Sequence, residues 1–66
     1  MTYRVYVRWP GQKTSDKTST DSELVAYTAY DELADARERL RADGALGVSM
    51  SQDNKNVRYL ELNTGS

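Results

Sequence analysis

The sequence predicts an α+β fold: a single small two-layer domain in which a mostly antiparallel four-stranded sheet carries one helix on one face. Three observations lead there. The first segment alternates apolar and polar residues with the period of a strand, the middle of the chain has the repeat and caps of a helix, and two alternating segments follow it. With 66 residues the chain makes one domain, residues 1–66. A domain of that size hides roughly 60% of the surface that its unfolded chain exposes.

Tyr3-Arg4-Val5-Tyr6-Val7-Arg8-Trp9 is the first strand, with Tyr3, Val5, Val7 and Trp9 on one side and Arg4, Tyr6 and Arg8 on the other. Trp9 is expected in the core with Val5 and Val7. Pro10 and Gly11 end this strand, because proline offers no ladder hydrogen bond and glycine frees the backbone to turn. Residues 12–22 are polar throughout and have no periodicity, so residues 10–22 are expected to form a mobile loop. Glu23-Leu24-Val25-Ala26-Tyr27 reads as a second strand leading into the helix.

Thr28 is the predicted N-cap of that helix, with Asp31 reaching back in the manner of a capping box, and Gly44 supplies the left-handed residue that closes it. Ala29, Leu33, Ala36 and Leu40 form its narrow apolar stripe. The third strand follows from the alternation of Leu46, Val48 and Met50, and residues 52–56 turn the chain. The last strand, residues 57–62, buries either Leu60 with Leu62 or Val57 with Tyr59. Residues 63–66 are expected to fray. The resulting order is β-β-α-β-β.

Composition removes whole classes of chemistry. The chain has no cysteine and no histidine, hence no disulfide, no imidazole base, no paired nucleophile and no zinc site of the usual kinds. No enzyme activity and no cofactor are expected. Gly11-Gln12-Lys13-Thr14 lacks the spacing of a phosphate loop, and Asp53-Asn54-Lys55-Asn56 lacks the length and closing glutamate of a calcium loop. There is no apolar leader at Met1-Thr2-Tyr3-Arg4 and no run of membrane-spanning length, so the expected location is cytoplasmic, with no membrane partner.

The net charge of −1 argues against a generic nucleic-acid binder. Its distribution is more informative. Residues 1–20 carry Arg4, Arg8, Lys13 and Lys17 against Asp16, a net +3. Residues 21–43 carry Asp21, Glu23, Asp31, Glu32, Asp35, Glu38 and Asp43 against Arg37, Arg39 and Arg41, a net −4. Such polarity can orient an encounter with a partner.

Two constellations are candidate partner-binding sites. One is the basic strand face Arg4, Tyr6 and Arg8, joined by Arg58 if the last strand lies beside the first. Guanidinium groups beside an aromatic ring can hold phosphates while a base stacks. The plainer account is an exposed sheet face whose arginines discourage pairing between molecules. The other is the acidic helix face Asp31, Asp35 and Glu38, which could imitate a phosphate backbone. Its plainer account is a solvated helix, with Asp35–Arg39 and Glu38–Arg41 at the spacing of ordinary intrahelical pairs.

In layout, a sheet of short strands with one helix and charged faces, the chain resembles accessory proteins of phages and mobile elements, and in particular some anti-CRISPR inhibitors of multi-subunit surveillance complexes. The resemblance covers the pattern of the chain and no motif, so it carries over no functional residue. It implies stoichiometric inhibition by occupying a surface meant for nucleic acid. The expected function is a non-enzymatic binding protein that masks a surface on a larger protein or ribonucleoprotein complex. The alternatives are a single-stranded nucleic-acid binder using the arginine-tyrosine face, and a structural subunit that self-associates through its sheet edge, as in a homodimer.

Overall fold

Tyr3, Val5 and Val7 are buried while Arg4, Tyr6 and Arg8 are not, so the first strand, β1 (Tyr3–Trp9), lies as its alternation requires. The structure is a computed structural model and describes residues 1–63. After β1 come β2 (Lys13–Thr20), α1 (Glu23–Asp35), α2 (Arg37–Ala42), β3 (Gly47–Gln52) and β4 (Lys55–Glu61). The sheet order is β2-β1-β3-β4, and every neighbouring pair is antiparallel. The helix α1 lies across β1, β2 and β3 on one face of the sheet. This is the predicted α+β architecture, with the predicted order and one main helix.

The second strand is not where the sequence pattern placed it. Residues 13–20, expected within a mobile loop, pair with β1 from Trp9↔Lys13 to Tyr3↔Thr20, and Gly11 and Gln12 close the hairpin with φ of 80° and 61°. As an edge strand β2 is exposed along most of its length, with only Thr18 and Thr20 half-buried, so it needs no apolar alternation. The backbone of β1 supplies its ladder. Residues 23–27, expected as a strand, are instead the first turns of α1: a short apolar run is ambiguous between the two states. The N-cap is Ser22, whose Oγ accepts from the Val25 amide at 3.3 Å, and Thr28 sits exposed inside the helix. Six more residues of helix shift the stripe toward the N-terminus, where Ala26 and Ala29 are its buried members.

The helix also breaks before Gly44. At Ala36 (φ −92°, ψ 13°) the amide is shared between the carbonyls of Glu32 and Leu33, and Arg37 Nη1 donates to the Ala34 carbonyl. Beyond this break α2 has no buried residue. It ends as predicted at Gly44 (φ 97°), where the Gly44 amide donates to Arg41 and the Ala45 amide to Leu40 in a Schellman closure. Asn63, expected to fray, donates through Nδ2 to the carbonyls of Arg41 (3.1 Å) and Ala45 (2.7 Å), and so ties the chain beyond β4 to the end of α2. The remainder of the predicted tail, residues 64–66, lies outside the described residues.

The core is Tyr3, Val5, Ala26, Ala29 and Met50, with Tyr27, Tyr30 and Leu33 packed at its margin. The two alanines let α1 approach the sheet closely over Val5 and Met50. Leu60 opposes Val48 and so faces the helix side, while Tyr59 faces away, which decides the register of the last strand. Trp9 shares the inward face but is only half-buried at the strand end, outside the central cluster, with Nε1 donating to Ser15 Oγ at 3.0 Å.

Two outcomes check this packing. Ser22→Ala should lower stability by about 1 kcal/mol, whereas Thr28→Ala should stay within about 0.5 kcal/mol of the parent; urea unfolding distinguishes them, and the reverse order would move the helix start to Thr28. The second concerns alkaline pH. Burial, followed by the nearby Glu23 carboxylate, raises the pKa of Tyr3 above the ordinary 10.0, and burial raises that of Tyr30 although Arg58 opposes it. The unfolded chain releases these protons first as pH rises. Their stabilisation is therefore complete below the ordinary value and is lost as pH climbs through the raised values. Urea midpoints should fall above about pH 10, and Tyr3→Phe with Tyr30→Phe should flatten that fall.

Candidate functional site

With α1 on one face, the opposite face of the sheet has no covering helix, and the strand register assigns its residues to three rows. Thr14, Arg8, Gly47 and Glu61 form one row across the four strands. Asp16, Tyr6, Ser49 and Tyr59 form the middle row, and Ser19, Arg4, Ser51 and Asn56 the third. Strands lie about 4.8 Å apart, so Tyr6 and Tyr59 emerge roughly 10 Å from each other with Ser49 between them. Ser49 is 2% exposed although no helix covers it, because its neighbours in the row are two aromatic side chains.

Arg4 lies along this face rather than projecting from it. Its guanidinium carbon stands 4.4 Å from the centre of the Tyr6 ring, and its Nε and Nη2 donate to Asp16 Oδ1 at 2.9 and 2.7 Å. The ring and the carboxylate together hold it. Exposed as they are, the pair adds little stability, on the order of 1 kcal/mol or less. Its consequence is electrostatic, since Asp16 cancels the charge of Arg4. Arg8 is exposed and, among the described residues, has no ion-pair partner.

Arg58 does not join the patch. β4 pairs with β3 and not with β1, and Arg58 opposes Met50, which places it on the helix side. There it stands over the Tyr27 ring at 4.9 Å. The acidic candidates Asp31, Asp35 and Glu38 are all exposed, but the break at Ala36 separates Asp31 and Asp35 on α1 from Glu38 on α2. Neither Asp35–Arg39 nor Glu38–Arg41 closes to ion-pair distance; among the described residues the ion pairs are Arg4–Asp16 and Lys17–Glu32.

Sequence reasoning missed Tyr59 and Gly47, which belong to this face. Tyr59 is 41% exposed, and its hydroxyl donates to the Leu46 carbonyl at 3.4 Å. The ring crosses Gly47, where a Cβ would collide with the Tyr59 hydroxyl and come within 2.6 Å of the Leu60 carbonyl oxygen. An isolated glycine in an alternating strand signals such an approach, and Gly47 between Leu46 and Val48 was that signal.

The face offers aromatic surface, hydroxyls and, in one row, the Arg8 guanidinium and the Glu61 carboxylate, neither with an ion-pair partner among the described residues. No helix of the described residues is long and apolar enough to cross a membrane. No family model matches the chain, and neither a curated protein nor a solved structure matches it.

Gly47→Ala tests the geometry of the face. The Tyr59 side chain can swing aside but the Leu60 carbonyl belongs to the β3–β4 ladder, so we expect a loss of roughly 1–3 kcal/mol in thermal or urea unfolding. Adding Tyr59→Ala should restore only part of it. Full recovery in the double variant would mean that the ring alone fills the space.

Proposed function

We propose that this chain is a non-enzymatic binding protein that masks a surface of a larger protein or ribonucleoprotein complex with its uncovered sheet face. The observation that carries the reading is the middle row, where Tyr6 and Tyr59 flank Ser49 beside the free guanidinium of Arg8. Tyrosine and arginine dominate the energetics of protein interfaces, because they supply large contact area together with directional donors. A folded strand presents them without an ordering cost at the moment of binding. The layout resemblance to anti-CRISPR inhibitors adds a class of target, a multi-subunit nucleoprotein complex in the cytoplasm of a host cell.

Single-stranded nucleic acid is the second reading, favoured by the exposed Tyr59 ring and by Arg8 in the adjacent row. Charge makes it the weaker one. Phosphate binding gains from accumulated cations, and of the three arginines first considered, Arg4 is neutralised by Asp16 and Arg58 faces the other side. Arg4 also occupies a face of the Tyr6 ring that a base would need. Self-association through a sheet edge is opposed at both edges: β2 carries Lys13 and a bulge at Lys17, and β4 carries Lys55 and a bulge at Val57. Cations and bulges at an edge disfavour strand addition.

Affinity capture from host lysate with the tagged chain, with and without nuclease, tests the reading when paired with Tyr6→Ala plus Arg8→Glu. A defined complex should survive nuclease and disappear with the double variant, whose fold is checked by circular dichroism. Capture that vanishes with nuclease would turn the assignment to nucleic acid, and capture untouched by the double variant would remove the sheet face as the interface. Light scattering of the free protein should report a monomer.

A further inference from the structure

On the opposite side of the molecule, the outer surface of α1 is divided along its length. Leu24 is 77% exposed and Val25 48%, an unusual outlay of apolar surface for a chain with so small a core. Between α1 and β2 they line a groove of about 400 Å³ together with Thr18 and Thr28, and its rim carries the Lys17–Glu32 ion pair at 3.1 Å. At 100° per residue, Leu24, Thr28, Asp31 and Asp35 fall on one outer ridge of the helix. The N-terminal half of that ridge is apolar and its C-terminal half acidic, and neither aspartate has an ion-pair partner among the described residues.

We propose that this ridge and groove dock a cationic amphipathic helix of a protein partner, one apolar side chain entering the groove and two lysines or arginines meeting Asp31 and Asp35. The spacing follows from helix geometry. Asp31 and Asp35 lie seven and eleven residues beyond Leu24, about 10 and about 16 Å along the axis, so a roughly aligned partner helix matches them with cations at the same intervals from its apolar anchor. The charge of the segment selects the sign: residues 21–43 are net −4. A second copy fits poorly, because antiparallel packing of two α1 ridges sets Leu24 against the aspartates and parallel packing sets the aspartates against one another. An anionic lipid surface is repelled by the same carboxylates. An added strand is unsuited to the groove's β2 wall, where the bulge at Lys17 interrupts the ladder.

The probe is a synthetic helical peptide of about 16 residues, with leucine in its first turn and lysines seven and eleven residues beyond it. Nitrogen-15 NMR titration of the intact chain should give saturable shifts at Leu24, Val25, Thr28, Asp31 and Asp35. Affinity should fall roughly ten-fold or more with Leu24→Ser and with Asp31→Lys plus Asp35→Lys, all exposed positions at which the fold is retained. Peptides carrying serine for leucine, or glutamate for lysine, should bind at least ten-fold more weakly by the same scale. Equal binding of any of these peptides, shifts confined to the sheet face, or no saturable shift would overturn the proposal. Tyr6→Ala plus Arg8→Glu should leave peptide binding unchanged, which separates this surface from the sheet-face reading.

Discussion

The contact of Ala26 and Ala29 with Val5 and Met50 is the constraint on which the rest of this molecule depends. A chain of 66 residues without isoleucine or phenylalanine cannot fill a thick interlayer space, so its one long helix has to lie close to the sheet. Two alanines one turn apart allow that approach, and Val5 and Met50, both fully buried on adjacent strands, meet them. Larger residues ring the contact instead of filling it: Tyr3 at the end of β1, with Tyr27, Tyr30 and Leu33 along the helix. Tyrosine suits that margin because its ring packs while its hydroxyl reaches water or a partner such as Glu23.

A single helix layer has an unavoidable consequence: one face of the sheet receives no cover. That face is therefore made presentable to water. Arg4 is laid across Tyr6 and fastened to Asp16, and Tyr59 is laid across Gly47, so that long side chains shield strand backbone and the serine between them. The same arrangement leaves a firm surface with exposed aromatic area and few free charges. A surface of this kind is more compatible with a protein partner than with a phosphate backbone, whose affinity grows with the number of unpaired cations.

The charge separation along the chain becomes a separation in space, though a partial one. Acidic residues concentrate on the outer side of α1 and basic ones begin in β1 and β2, but Lys17–Glu32 joins the two regions and Asp16 neutralises Arg4 within the basic one. Among the charges without an ion-pair partner in the described residues, Arg8 lies on the sheet face and Asp31 and Asp35 lie on the helix ridge, on opposite sides of the molecule. The bulges and lysines of β2 and β4 protect both sheet edges against strand addition.

The sequence by itself determined the fold class, β1, the alternation of β3, the glycine that ends the helical region and the absence of imidazole and thiol chemistry, because each is written in local pattern or composition. Only the tertiary structure decided that residues 13–20 are a strand and 23–27 a helix. A polar edge strand borrows its ladder from β1 and needs no apolar period of its own, and Leu24-Val25-Ala26 is too short a run to declare helix or strand until Ala26 finds the sheet. It also decided the candidate site. Arg4, Tyr6 and Arg8 share a face by their period of two, which sequence shows. That β4 lies beside β3, placing Arg58 on the helix side and Tyr59 on the uncovered face, follows from strand order, and strand order is set by which backbones pair across the fold.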